Sequence, residues 1–325
     1  MTNTKKILVS GSWAYDYLME YEGLLKEAIL AEKLDHLSVA FLVAKKSVHL
    51  GGCAGNIAYN LKLLGSDPLV VGLIGSDFEK YSDHLKKMGI DASTLTSLPN
   101  DFTASAYILT DKEQNQIMMF HGGAMLAAPE AVTMKDYKNH GIEWVIISPD
   151  DPRRMARLAE ECKELGFKYI FDPSQQISSI DVGLLRGAIE GASILIANEY
   201  EADMICKKMN VTREELMQMV PTFIETHGEN GSSIVSRGVK NDASDAGMFF
   251  VKSVMPSAVV DPTGCGDAFR AGLLYGISSG LNIDKSCQIG ALAATYTIEQ
   301  KGTQTHSFTL EEFKKRFEEN YGESF

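Results

Sequence analysis

The sequence contains few of the features that mark secreted, membrane or nucleic-acid-binding proteins. Its five cysteines are odd in number and include no Cys-x-x-Cys pair, which disfavours a disulfide framework and a zinc site. No apolar run approaches the roughly 20 residues that span a bilayer, and Ile7-Leu8-Val9 is too short for a signal peptide. With a formal net charge of −12, the chain lacks the basic character of a nucleic-acid binder. We therefore expect a cytoplasmic protein with reduced thiols and no membrane or nucleic-acid partner.

Two glycine patterns of common nucleotide-binding folds are also missing. There is no Gly-x-x-x-x-Gly-Lys-Ser/Thr and no Gly-x-Gly-x-x-Gly after the first predicted strand. These absences disfavour a P-loop NTPase and a dinucleotide-dependent oxidoreductase. No internal repeat or low-complexity linker divides the chain, so residues 1–325 are expected to form one domain.

A regular alternation of strand-like and helix-like segments is present instead. Apolar runs predict strands at 5–10, 37–50, 69–74, 105–110, 116–120, 144–148, 168–171, 193–197 and 233–236. Helical spacing of apolar residues predicts helices at 55–64, 77–89, 153–165, 268–277, 288–300 and 310–321. This alternation is typical of an α/β fold whose sheet is mostly parallel and covered on both faces.

The stretch 259–272 is the most informative about chemistry. A β-branched run ends in an Asp-Pro-Thr turn, and two glycines precede an aspartate that opens a helical pattern; these residues are Asp261, Pro262, Thr263, Gly264, Cys265, Gly266 and Asp267. The N–H groups of a first helical turn and the helix dipole attract an anion. A carboxylate beside such a site suits a general base that takes a proton from a hydroxyl attacking the terminal phosphoryl of ATP. The alternative is a helix capped by Thr263, with Asp267 in a favourable first-turn position.

Two further motifs belong with this stretch. Gly51-Gly52-Cys53-Ala54-Gly55-Asn56 opens a predicted helix, and Asn198-Glu199-Tyr200-Glu201 follows an apolar run. In this order the three motifs resemble the ribokinase-like (PfkB) family of carbohydrate and nucleoside kinases, over residues 11–304. Shorter stretches resemble the bacterial-type adenosine kinases within that family; they lie at 14–19, 41–43, 172–176 and 266–272.

The resemblance implies a ribokinase-like three-layer α/β sandwich with a small discontinuous β-sheet lid, at about residues 13–50 and 101–122. It implies ATP-dependent phosphorylation of the primary hydroxyl of a ribose-containing substrate, which we expect to be adenosine, giving AMP. A lid would exclude water, and its exposed strands offer an edge for a homodimer. The alternative for the lid is a pair of immobile surface hairpins. The alternatives for the whole chain are a ribokinase or other sugar or nucleoside kinase, and a non-catalytic nucleoside-binding protein.

The resemblance also assigns residues to the substrate. They are Ser12, Asp16, Gly52, Asn56, Phe120, Gln175 and Gln176. Asp16 and Asn56 would bind ribose hydroxyls, since their oxygens and amide suit a diol. Phe120 would stack on the base, and the two glutamines would read its edge. Simpler alternatives are a turn or cap residue for Asp16, a helix cap for Asn56, a core residue for Phe120 and loop polar residues for the glutamines.

The residues expected near ATP and its metal come from the second half of the chain. They are Asn198, Glu201, Ser236, Arg237 and Gly238, with the N–H groups of Gly264, Cys265 and Gly266 holding the transferred charge. Asn198 and Glu201 would orient Mg²⁺ through water, without a direct protein ligand, although a helix capping box has the same spacing.

Two loops complete these expectations. Residues 236–241 stand where related kinases tend to show Thr-x-Gly-x-x-Gly, with Asn241 in place of the last glycine; Arg237 and Lys240 either contact phosphates or are simply solvated. Gly302-Thr303-Gln304 resembles the family's loop beside a monovalent cation, which implies K⁺ near Asp261 and Thr263.

Overall fold

A computed structural model describes residues 6–29, 35–36, 38–238 and 246–325. In chain order the strands are β1 (Lys6–Ser10), β2 (Ala14–Glu20), β3 (Lys45–Gly51), β4 (Leu69–Val71), β5 (Leu73–Gly75), β6 (Thr96–Leu98), β7 (Ala104–Thr110), β8 (Gln116–His121), β9 (Ile142–Ile147), β10 (Lys168–Phe171), β11 (Ile194–Asn198), β12 (Thr222–Thr226), β13 (Ser232–Arg237) and β14 (Ala246–Val251). The α-helices are α1 (Leu25–Ala28), α2 (Cys53–Leu63), α3 (Glu79–Met88), α4 (Pro152–Leu165), α5 (Val182–Gly191), α6 (Glu199–Met209), α7 (Arg213–Met219), α8 (Cys265–Ser278), α9 (Ile283–Ile298) and α10 (Leu310–Tyr321). The predictions for Lys240 and Asn241 concern residues outside the described ranges.

Within the described residues, eight strands form the main sheet, in the order β14-β13-β12-β11-β10-β9-β1-β4. The strands from β12 to β4 are parallel, whereas β13 and β14 run antiparallel to their neighbours. Ile7 and Val9 of β1 pack in a core with α2 and α8, while Leu8 packs on the opposite face with α4 and α5. Helices therefore cover both faces, and the predicted mostly parallel α/β sandwich is confirmed.

The main sheet opens a crevice beside β1. β1 lies between β4 and β9. The next strand of the main sheet, β4, is added on one side of β1, and the later strand β9 is added on its other side. Open α/β sheets bind ligands outside the carboxyl ends of the strands at such a point. Ser12 lies there, and its Oγ accepts a hydrogen bond of 3.1 Å from the N–H of Cys53 at the start of α2.

A separate four-stranded sheet has the order β3-β2-β7-β8. Direct partners in neighbouring strands form one row across it, which consists of His49, Asp16, Ala106 and Phe120. Because directly paired residues point to the same face, Asp16 and Phe120 share a face, with the small Ala106 between them. At about 4.8 Å per strand, the Cα atoms of Asp16 and Phe120 are about 10 Å apart.

Several strand predictions need correction. The strand predicted at 37–50 begins only at Lys45, and β2, β6, β12 and β14 match no predicted strand. The run 69–74 is divided into β4 and β5, with Gly72 at the break. A Cβ on Gly72 would lie 2.6 Å from the Trp13 ring. Beyond Gly72, β5 leaves the main sheet and pairs with β6.

Two expectations from composition can be compared with the structure. In the parts of the chain that the structure describes, no helix is long and apolar enough to cross a membrane. The five cysteines are free thiols. Burial, and then the charges of Asp261 and Asp267, raise the pKa of Cys265 to about 12, so this thiol is protonated at neutral pH.

Candidate active site

The helix α8 begins at Cys265, within the glycine motif that the sequence singled out. Gly264 is the N-cap residue, and its φ of 81° lies in the left-handed region that favours glycine. A Cβ on Gly264 would also lie 2.9 Å from Cγ2 of Thr303. The N–H of Cys265 donates to the carbonyl of Pro262 at 3.3 Å. No side chain caps the helix, and the first turn of an α-helix leaves N–H groups without intrahelical acceptors.

Asp267 lies in this first turn and is held by a residue of another helix. Nδ2 of Asn56 donates to Oδ2 of Asp267 at 2.8 Å. Burial raises the pKa of Asp267, and the hydrogen bond from Asn56 and the charge of Arg270 oppose the rise. A carboxylate with a raised pKa and a fixed orientation has the properties of a general base.

A chain of buried hydrogen bonds supports Asn56 in turn. Nε2 of Gln304 donates to Oδ1 of Asn56 at 3.0 Å and also contacts the Tyr81 hydroxyl at 2.6 Å. The Tyr81 hydroxyl donates to the carbonyl of Gly51 at 2.9 Å. Asn56 lies inside α2, which begins at Cys53, so the alternative of a helix cap is wrong. This network links Asp267 to the end of β3 in the small sheet.

Arg270 and Asp172 form a second buried element beside Asp267, and the sequence analysis assigned a role to neither. Nη2 of Arg270 donates to Oδ1 of Asp172 at 2.6 Å, and Nε contacts Oδ2. Asp172 follows β10 at the carboxyl edge of the main sheet. A charged residue within the otherwise apolar stretch 268–274 was the signal available in the sequence.

Asp16 brings a further carboxylate to the same place. It lies inside β2, so the alternative of a turn or cap residue is wrong. A Cβ on Gly51 would lie 2.5 Å from Oδ2 of Asp16. Burial is the largest cause that raises the pKa of Asp16 to about 6, and the charges of Asp261 and Asp267 add to it. The three carboxylates therefore lie near one another.

Asp261 is fixed by two backbone groups. Its oxygens accept hydrogen bonds from the N–H of Thr263 at 2.9 Å and the N–H of Gly302 at 3.0 Å. Burial would raise the pKa of Asp261, but these hydrogen bonds hold it below its ordinary value. Because Thr263 contributes its N–H to Asp261 and caps no helix, the alternative of a Thr263 cap is wrong. Oxygen ligands with a fixed anionic charge are compatible with a monovalent cation.

The residues expected to bind the nucleobase lie on different elements. Phe120 is in β8 with 56% of its surface exposed, on the same face as Asp16. Gln175 and Gln176 lie in a 3₁₀ turn, Ser174–Ser178, after β10.

Gly52, another residue expected to bind the substrate, precedes α2 with a φ of 84°. A Cβ at this position would lie 2.5 Å from the carbonyl oxygen of Ser12.

Asn198 and Glu201 form the capping box that was the alternative for them. Oδ1 of Asn198 accepts from the N–H of Glu201 at 2.8 Å, and Oε2 of Glu201 accepts from the N–H of Asn198 at 2.9 Å. Oε1 of Glu201 accepts from the Ser174 hydroxyl at 3.0 Å. Carboxylate and amide oxygens at this edge fit a hydrated Mg²⁺. Among the residues that the structure describes, no cluster of three or more His, Cys, Asp or Glu could hold a metal ion.

The structure places Ser236, Arg237 and Gly238 apart from the other residues expected to contact ATP. The strand β13 is antiparallel to β12, so its end lies at the amino edge of the parallel strands, opposite the other site residues. Nη2 of Arg237 donates to the carbonyls of Gln218 and Val220 at 2.7 and 2.8 Å. The guanidinium therefore binds the end of α7.

A different turn, which the sequence was not expected to place in the site, lies at the carboxyl edge. β12 ends in Thr226-His227-Gly228-Glu229-Asn230-Gly231, which matches Thr-x-Gly-x-x-Gly at every position. Thr226 is paired with Asn198 in the neighbouring strand β11. The motif itself was therefore the missing signal, one strand earlier than expected.

The main sheet, the N-terminus of α8 and the Asp267 carboxylate in its first turn are those of a small-molecule kinase that transfers a phosphoryl group to an alcohol. A model of the pfkB family of carbohydrate kinases matches residues 15–309, and the chain belongs to this family. Within it, the chain is a sugar or nucleoside kinase of the ribokinase type.

Individual relatives agree with this assignment. The chain is 30% identical to a nucleoside kinase of Methanothermobacter thermautotrophicus, over 99% of this chain and 98% of the relative. It is similar to the structure of a Burkholderia thailandensis nucleoside kinase in complex with inosine, with 36% identity, a TM-score of 0.81 and coverage of 98% and 99% of the two chains. It also resembles a Methanocaldococcus jannaschii nucleoside kinase, with 27% identity, a TM-score of 0.84 and coverage of 97% and 98%.

Proposed function

We propose that the protein is an ATP-dependent nucleoside kinase that phosphorylates the 5′-hydroxyl of a purine nucleoside, with adenosine as the first substrate to test. The observation that carries the proposal is the row across the small sheet. Asp16 can accept hydrogen bonds from a ribose diol, and Phe120 on the same face offers a ring to the base. Their separation of about 10 Å suits a ribose joined to a base, with Ala106 leaving room between them.

Asp267 acts as the general base in this proposal. It takes the proton of the 5′-hydroxyl as that oxygen attacks the γ-phosphorus of ATP, and the bond to the departing ADP breaks. Asn56 keeps the carboxylate oriented. The N–H groups of Gly264, Gly266 and the first turn of α8 stabilise the charge on the transferred group.

The residues around ATP follow from their position at the same edge. The turn from Thr226 to Gly231 lies beside Asn198 and would contact the phosphates through backbone N–H groups. Asn198 and Glu201 would hold Mg²⁺ through water, and the metal would neutralise phosphate charge when bound. Asp261 and the Thr263 turn would hold K⁺ close to the helix N-terminus.

The small sheet serves as a lid in this account. Its one face carries Asp16 and Phe120, so closure over the substrate would exclude water from the phosphoryl group. The apolar side chains of Met118, Met119 and Phe120 are more than half exposed, and β8 is an edge strand, which together favour a second copy of the chain as the partner of this edge.

The proposal is tested by ADP release from ATP and Mg²⁺ with adenosine, inosine, guanosine, cytidine, ribose and fructose 6-phosphate offered separately, with and without K⁺. Preference for a purine nucleoside is the expected result. Turnover of ribose in the absence of nucleoside turnover would contradict the base site and leave the phosphoryl-transfer site intact. The relative from Burkholderia thailandensis has been solved with inosine, so inosine is the main competitor of adenosine in this comparison.

A further inference from the structure

Arg270 is a buried cation next to the proposed base. Only 6% of its surface is exposed, and its neighbours Ala268, Phe269 and Ala271 belong to the core. It follows Asp267 by three residues on α8, so the two side chains are neighbours on the helix surface. Burying a guanidinium is costly unless it is paired, so its position requires a partner.

Asp172 is that partner, and its carboxylate contacts two of the three guanidinium nitrogens. Nη2 donates to Oδ1 at 2.6 Å, and Nε contacts Oδ2. Nη1 takes part in neither contact. The charges of Asp172 and Asp267 raise the pKa of Arg270 despite its burial, so the cation is permanent at any pH of interest.

The third nitrogen, Nη1, lies beside the N-terminus of α8. A Cβ on Gly266 would lie 2.8 Å from Nη1, so this nitrogen lies against the first turn of α8. Helix side chains lean toward the N-terminus, which carries Nη1 to the end of the helix where the transferred group binds in the proposed function. The missing side chain of Gly266 therefore leaves space for the Arg270 guanidinium as well as for the phosphoryl group of the proposed reaction.

We propose that Arg270 is a further catalytic residue, whose Nη1 donates hydrogen bonds to an oxygen of the phosphoryl group during its transfer. Asp172 is its positioning residue, because the paired Nε and Nη2 fix the plane of the guanidinium. This inference rests on the proposed nucleoside kinase activity. A planar guanidinium with two donors on one nitrogen suits phosphate oxygens, and its charge acts most strongly where water is excluded.

The competing role is structural, since the pair also joins β10 to α8. The test compares Arg270→Met and Arg270→Lys with Arg157→Met as a matched control. Arg157, whose side chain is 25% exposed, pairs with Glu161 of the same helix, α4, which packs on the other face of the sheet. All three variants lose or weaken a partly or fully buried ion pair, but only the first two change the proposed site.

Two readouts separate the roles. The first is kcat and KM for the nucleoside, per mole of folded enzyme. We expect Arg270→Met to lower kcat by about 10²–10³-fold with KM changed less than about threefold, and Arg157→Met to leave both near the wild-type values. The second is calorimetric binding of fluoroaluminate to enzyme saturated with Mg²⁺, ADP and nucleoside. Arg270→Met should bind ADP normally and lose at least tenfold in affinity for the phosphoryl mimic.

Clear outcomes would overturn the inference. If Arg270→Met retains kcat within threefold of wild type, or binds fluoroaluminate as wild type does, Arg270 is structural. If that variant does not fold, Arg270→Lys decides: a kcat lowered at least tenfold supports the inference, and a kcat within threefold overturns it. A wild-type enzyme without nucleoside turnover would remove the proposed function and this inference together, whereas an active wild type confines a failure to Arg270.

Discussion

The ionised carboxylate of Asp16 is expected to lower the free energy of unfolding of the protein. Its pKa rises from 3.8 to about 6 in the folded protein, chiefly through burial and then through the charges of Asp261 and Asp267. A folded-state pKa above the unfolded value means that the folded protein binds the proton more tightly, so stability falls as pH rises through this window. Since one pKa unit corresponds to about 1.36 kcal/mol, the charged carboxylate costs at most about 3 kcal/mol above pH 6.

Asp16→Asn removes this charge with little change of shape. At pH 7.5 the variant should be more stable than wild type by about 1–3 kcal/mol, and below about pH 3 the difference should approach zero because Asp16 is then protonated in both the folded and the unfolded protein. Urea unfolding at several pH values measures the free energy of unfolding directly. The nucleoside KM of this variant should rise at least about tenfold, since the amide accepts hydrogen bonds from the diol more weakly.

Asp91→Asn is a suitable control for the stability measurement. The N–H of Ser93 donates to Asp91 at 2.9 Å and is the main cause that lowers its pKa. Removing that charge should not stabilise the protein at pH 7.5. A variant Asp16→Asn that is less stable than wild type at pH 7.5, or a gain that is independent of pH, would refute the account of a desolvated carboxylate at the substrate.

Further substitutions test other parts of the site. Phe120→Ala should raise KM for adenosine by about threefold to tenfold and leave ribose turnover unchanged, as steady-state kinetics would show; equal effects on both substrates would contradict base stacking. Thr226→Val should raise KM for ATP but not for the nucleoside, and an effect confined to the nucleoside would argue against the Thr226–Gly231 turn as the ATP site. Gln304→Leu should lower kcat by about tenfold through the loss of a support for Asn56; unchanged kcat in a folded variant would show that this support is dispensable.

Elements with local signals were predictable from the sequence. The terminal helix α10 has the predicted bounds, and the side chain of its N-cap Thr309 accepts from the N–H of Glu312 at 3.1 Å. The helix α4 likewise begins after a capping Asp151 and ends at Gly166 in the left-handed conformation. In both helices, residues within one turn fix the ends, so a short window of sequence is sufficient.

Strand direction and distant contacts were not predictable in this way. An apolar run shows that a strand exists, but nothing in the residues of β13 shows that it runs antiparallel and ends at the edge opposite the other site residues. Asn56 and Gln304 are 248 residues apart, and Arg270 and Asp172 are 98 apart. Their pairing depends on how the helices are placed on the sheet, so a sequence pattern cannot reveal it.

The position of Asp267 illustrates both limits. Its place behind two glycines at a helix start suggested a general base, whereas the residues that orient it come from α2 and from the chain after α9. The motif therefore identifies the reacting group, and the fold identifies the groups that position it.

The most direct test of the central claim is ADP release by wild type and Asp267→Asn with adenosine, ATP and Mg²⁺, together with calorimetric binding of adenosine to both proteins. The account predicts that Asp267→Asn lowers kcat by about 10³-fold or more while adenosine binds within a few-fold of wild type. Full turnover by the folded variant would contradict the assignment of Asp267 as the base.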